Sequence, residues 1–76
     1  MEKIYVILQD LRPEFDFHLS QNFIEDGFLD SFDMVSLISE LEENFDILID
    51  AMDIIPENFT SVNTITEVVK KNGGTL

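Results

Sequence analysis

Residues 31–45, SFDMVSLISELEENF, repeat apolar side chains at Met34, Leu37, Ile38, Leu41 and Phe45. These positions return to one face of an α-helix every three or four residues. Asp33, Ser36, Glu40 and Glu43 fall on the opposite side. Phe32 breaks the pattern. At about 100° per residue it projects near Ser36 and Glu43, on the polar side. No lysine stands four residues beyond any of these acids, so their charge is not balanced within the helix. A helix with so well marked an apolar stripe has to bury it against neighbours, and the rest of the chain must provide them.

Two further segments have helical spacing. EKIYVILQDLRP places Ile4, Ile7, Leu8 and Leu11 on one face. Val6 taken alone argues for a strand, but the helical spacing persists for two turns, and Tyr5 and Val6 widen the apolar surface. Pro13 disfavours helix at Arg12 and marks the end. SVNTITEVVKKNGG groups Val62, Ile65, Val68 and Val69, with Ser61 or Thr60 to cap the start. Lys70 and Lys71 suit the last turn, and Gly73 suits the stop. Between these, Asp50–Ile54 reads as one short helix and Pro56 as the start of a further turn, while Ile47 and Ile49 pack as the chain leaves the main helix.

Residues 13–30 form a long loop that drops apolar anchors at Phe15, Phe17, Leu19, Phe23, Ile24, Phe28 and Leu29, with Gly27 placed for a positive φ. The expected fold is all-α. It is a small up-and-down bundle of three main helices plus one short helix, and the long loop between the first and second helices crosses one end. Residues 1–76 make a single domain, with a tail at 72–76 expected to fray.

Composition excludes several functions. Sixteen acidic residues face four basic ones, and no lysine or arginine stands between Arg12 and Lys70. Phosphate contacts need clustered cations, so nucleic acid is not an expected partner, and an anionic membrane surface would repel the chain. A protein with a basic patch is the natural partner, although acidity also serves plain solubility. There is no cysteine, which rules out disulfides and thiolate metal sites. Asp10 and Arg12 interrupt the apolar N-terminal stretch, so it does not read as a signal peptide, and no run is long enough for a membrane span. The expectation is a cytoplasmic monomer. One histidine, His18, supports neither a metal site nor a catalytic dyad. The acidic segment 46–53 lacks the residue order of a calcium loop. No metal site and no catalytic residue are expected.

Ser31 has two readings. It precedes the helical run, and serine is a preferred helix cap. A serine at a helix start also exposes its hydroxyl beside unpaired backbone N–H groups, where an attached phosphodiester would sit at the positive end of the helix.

The segment DSFDMVSLISELEENFDILI resembles the signature of the phosphopantetheine-dependent acyl carrier protein superfamily. Asp30-Ser31-Phe32-Asp33 is similar to that family's attachment site, and Leu41-Glu42-Glu43-Asn44-Phe45-Asp46-Ile47 to the end of its second helix. FIEDG and FTSVNTI also fit, so the likeness runs from the first helix to Val69. It implies that Ser31 receives 4′-phosphopantetheine from coenzyme A through a phosphopantetheinyl transferase. It implies too that Asp30 helps that transferase hold magnesium, and that the carrier itself catalyses nothing. Phe32, Asp33, Ser36, Glu40, Glu42 and Glu43 then resemble the face that meets arginine- and lysine-rich patches on loading ligases and acyltransferases, with Glu42 near the apolar boundary. Phe32 stands where the family usually has leucine; it is either an apolar partner contact or packed against the first loop.

The cargo implied is an acyl group held as a thioester, in fatty-acid or related acyl metabolism. Ser36 and Asp50 depart from the fatty-acid type, and FLDS and PENFTSVNTI are closer to stand-alone D-alanyl and other aminoacyl carriers. Seven phenylalanines also bear on cargo, because a filled core resists the insertion of an acyl chain. A rival of another class is an unmodified acidic adaptor that uses the same helix face.

Overall fold

The computed structural model describes residues 2–75. It contains three α-helices, α1 (Glu2–Leu11), α2 (Ser31–Phe45) and α3 (Val62–Lys71), with short 3-10 turns at Phe17–Leu19, Ala51–Asp53 and Pro56–Phe59. Among the described residues there is no strand. Both segments read from the sequence as short helical pieces, after Asp50 and at Pro56, are single 3-10 turns.

The helices meet on the stripes their spacing predicts. Ile4, Ile7 and Leu8 of α1, Leu37 and Leu41 of α2, and Val62, Ile65, Val68 and Val69 of α3 are buried together. Phe17, Phe23 and Leu29 from the first loop, Ile47 and Ile49 just after α2, as expected from the sequence, and Phe59 from the last 3-10 turn complete the core. Leu19 does not anchor the loop and is 80% exposed. In a 3-10 turn successive residues are about 120° apart, so burying Phe17 turns Leu19 outward.

Charged ties fix how the helices run. Lys3 at the start of α1 donates through Nζ to the Asn44 carbonyl at 3.0 Å and lies 4.8 Å from the Phe45 ring centre. It supplies the end of α2 with the cation that α2 lacks in its own last turn. Arg12, just beyond α1, reaches Asp33 at the start of α2, so α1 and α2 run antiparallel.

The end of α3 is closed by hydrogen bonds as far as Gly74. Gly73 takes φ +97°, its N–H reaches the Lys70 carbonyl at 3.1 Å, and the Gly74 N–H reaches the Val69 carbonyl at 2.8 Å. These bonds form a Schellman closure that uses glycine's freedom at positive φ. Leu76, the last residue of the expected frayed tail, lies outside the described residues.

Asp53 ties this end to the loop after α2. It is buried, and it accepts Lys71 Nζ at 2.8 Å and Asn72 Nδ2 at 3.2 Å. The bond from Lys71, then that from Asn72, hold its carboxyl below the usual value. A carboxyl lowered in the folded state stabilises above its unfolded pKa of about 4. That contribution disappears as pH falls through the folded value. Asp53→Asn is therefore expected to lower the urea midpoint at neutral pH and to flatten the loss of stability below about pH 4. Equilibrium unfolding at several pH values checks both.

Candidate functional site

The chain ahead of α2 is pinned before the helix begins. Phe23 donates its N–H to the Thr60 carbonyl at 2.7 Å, next to the start of α3. Its own carbonyl accepts the N–H groups of Phe28 at 2.8 Å and Leu29 at 3.1 Å. Gly27 turns the chain with φ +77°, as its position predicts, and Leu29 enters the core. Asp30 therefore arrives in a fixed, extended conformation at the mouth of α2.

Asp30, not Ser31, is the cap. Its Oδ1 accepts the Asp33 N–H at 2.8 Å, and Asp33 Oδ2 accepts the Asp30 N–H at 3.2 Å. The two aspartates form a reciprocal capping box that satisfies the backbone N–H groups of Asp33 and Asp30 without Ser31. Ser31 is the first residue of the helix, is exposed, and takes no part in those capping bonds. The Asp30 carboxyl is held below its usual value, chiefly by the Asp33 backbone N–H.

Asp33 corrects the reading that placed it on the solvated face. It is only 7% exposed, and its Oδ2 also accepts a hydrogen bond from Arg12 Nη1. Spacing alone assigned it to the polar side, whereas a guanidinium twenty-one positions earlier draws it inward. It is no part of an exposed partner surface.

The remaining candidates spread along α2. Glu40 and Glu43 are exposed, and Glu40 also takes an Asn44 Nδ2 contact at 3.4 Å. Ser36 is half-buried. Glu42 is half-buried and accepts the Ile49 N–H at 2.9 Å, so it helps seat the chain after α2. Phe32 is 80% exposed, which excludes packing against the first loop. Beside it Val35, 66% exposed, adds apolar surface that the sequence reading did not single out. The signal was available: the two are three residues apart on a helix and share a face.

Residues 3–69 match the model of a family described as the phosphopantetheine attachment site. The chain belongs to that family. No curated protein matches it closely enough to name a relative.

The family implies a phosphopantetheine-carrying carrier protein with the group covalently attached, served by a phosphopantetheinyl transferase and by partner enzymes. The start of α2 fits such a group. Ser31 offers an exposed hydroxyl not committed to capping, at the helix end where backbone N–H groups favour an anion. Among the described residues of this carrier no three His, Cys, Asp or Glu side chains gather as metal ligands. Nor is any described helix long and apolar enough to cross a membrane.

Proposed function

We propose that Ser31 is the attachment residue and that this carrier presents acyl groups, held as thioesters, to enzymes of fatty-acid or related acyl metabolism. One observation supports the placement above others: Ser31 is an exposed serine at the first position of α2 whose capping work is done by Asp30 and Asp33. In loading, the Ser31 oxygen bonds to the phosphorus nearest pantetheine, and the pyrophosphate bond of coenzyme A breaks. Adenosine 3′,5′-bisphosphate leaves, and the hydroxyl proton passes to a base of the transferase. Asp30, ionised and fixed beside Ser31, supports that step by helping to hold the transferase's divalent cation. The attached arm supplies the thiol that this cysteine-free chain lacks.

Partners meet an apolar spot, Phe32, beside the exposed acids Glu40 and Glu43 and the half-buried Ser36 and Glu42. Charge pairs at the rim speed encounter and weaken with salt, while the exposed aromatic ring provides a contact to bury.

A second reading of the cargo, D-alanyl or another aminoacyl group, rests on the packing of the phenylalanines. Phe15 stacks on Phe28 with centroids 4.4 Å apart, and Phe17 meets Phe23 edge-on at 5.0 Å and Phe28 edge-on at 5.5 Å. A close-packed aromatic cluster yields little room to an inserted chain, which suits short polar cargo held outside the bundle.

Incubation with coenzyme A and a broad-specificity transferase, followed by intact-mass and fragment measurement, is the test. The pantetheine arm is expected on the peptide containing Ser31. Its absence would leave an unmodified acidic adaptor as the reading. The loaded carrier is then offered to an ATP-dependent fatty-acyl ligase and to adenylating enzymes supplied with amino acids. The added mass identifies the cargo.

A further inference from the structure

Arg12 is one of four basic residues in the chain, and it is held on three sides. Its Nε donates to Glu14 Oε2 at 2.9 Å, and its Nη1 donates to Asp33 Oδ2. Its guanidinium carbon lies 5.2 Å from the centre of the Phe15 ring, which in turn stacks on Phe28. Its backbone N–H closes the end of α1 on the Leu8 carbonyl at 2.9 Å. The Asp33 oxygen that accepts from Arg12 also accepts the Asp30 N–H. A continuous chain of charge-assisted hydrogen bonds therefore runs from the end of α1 to the residue next to Ser31.

We propose that Arg12 is a positioning residue for loading: through Asp33 it fixes Asp30 in the orientation that the transferase's divalent cation requires. This rests on the reading of Ser31 as the attachment residue and Asp30 as a cation-holding group. A carboxylate already frozen in place costs nothing further to order when the cation and coenzyme A arrive. Planar and fixed by Glu14 and Phe15, the Arg12 fork is suited to that task. Without it, Asp33 holds an almost buried carboxylate with no cation beside it. That carboxylate is better satisfied by turning to water, which releases the Asp30 N–H and loosens the cap.

The test measures loading against magnesium concentration in wild type, Arg12→Met, Arg12→Lys, Asp33→Asn and the Arg12→Met/Asp33→Asn double variant. Methionine keeps an apolar stem over Phe15 and removes the donors. The magnesium concentration for half-maximal rate is expected to rise about tenfold in Arg12→Met, as for loss of a residue that orients a metal ligand. Saturating magnesium recovers much of the rate, and Arg12→Lys restores part of the effect. Asp33→Asn should resemble Arg12→Met, and the double variant should be no worse than either, because both cut one chain. Scalar couplings of the Asp30 β-protons, read without any transferase, should change from one rotamer to an average.

An unchanged magnesium requirement in Arg12→Met, or strictly additive losses, would overturn the inference. Should Arg12→Met fail to fold, Arg12→Lys and Asp33→Asn decide by the magnesium requirement and by the Asp30 β-proton couplings: a wild-type value of both in Asp33→Asn overturns the inference. Failure of the underlying reading has a different signature. Ser31→Ala would still be loaded, or Asp30→Ala would keep the wild-type magnesium dependence, and the role of Arg12 would fall with its premise.

Discussion

Ser31→Ala is expected to abolish attachment of the pantetheine arm while leaving the fold as stable as wild type. The two halves of that result have separate causes. Only the hydroxyl oxygen can form the phosphate ester, and alanine has none, so no arm-bearing mass should appear at any transferase concentration. Stability is untouched because Ser31 does not cap α2; the capping bonds belong to Asp30 and Asp33. The side chain is exposed, and alanine is a better helix former than serine by a few tenths of a kcal/mol. Unfolding free energies of the two proteins from urea titration should agree within about 0.5 kcal/mol, on the stable side for alanine. A marked loss of stability would show that the serine, and not the aspartates, holds the start of the helix. Asp30→Ala makes the complementary variant: it retains the hydroxyl but loses the cap, so its urea midpoint should fall where that of Ser31→Ala does not.

Much of this carrier could be read from residue order, and the parts that could not share a physical cause. All three α-helices follow from apolar spacing, because a buried stripe imposes its period on the sequence whatever it packs against. For Phe32 the angle on α2, among Ser36 and Glu43, left two readings open, and its 80% exposure decides for the outward one. Asp33 was misplaced because a helical wheel assigns polar residues to water. Whether a carboxylate turns inward depends on a cation brought from elsewhere, and Arg12 arrives through the antiparallel pairing of α1 and α2. Asp53 and Asn72 meet for a similar reason, nineteen positions apart in the chain. The cap was shifted by one residue because Asp and Ser are almost equally good caps. Only the actual hydrogen bonds decide between neighbours. The outward turn of Leu19 depends on a 3-10 period too short to leave a pattern. Family membership was legible because the Asp30-Ser31-Phe32-Asp33 motif, helix order and acidity occur together.

Phe23→Ala is expected to leave the chain largely unfolded at 25 °C. Its ring is one of the largest fully buried side chains, 1% exposed, and it meets Phe17 edge-on. Truncating a buried phenylalanine to alanine costs about 3–5 kcal/mol, the lost transfer energy plus the cavity left behind. A domain of this size has a net stability of roughly 3–5 kcal/mol to lose. The two quantities are equal in size, so the folded fraction collapses rather than merely declining. The position compounds the loss, because the Phe23 backbone joins the Thr60 carbonyl to the N–H groups of Phe28 and Leu29. A cavity there loosens the segment that delivers Asp30 and Ser31 to the mouth of α2. Phe23→Leu keeps most of the volume and is expected to remain folded with a reduced urea midpoint. Far-ultraviolet circular dichroism against urea separates the two variants. A Phe23→Ala protein that melts like wild type would mean that the first loop contributes little to the core, and that the attachment segment is held by α2 alone.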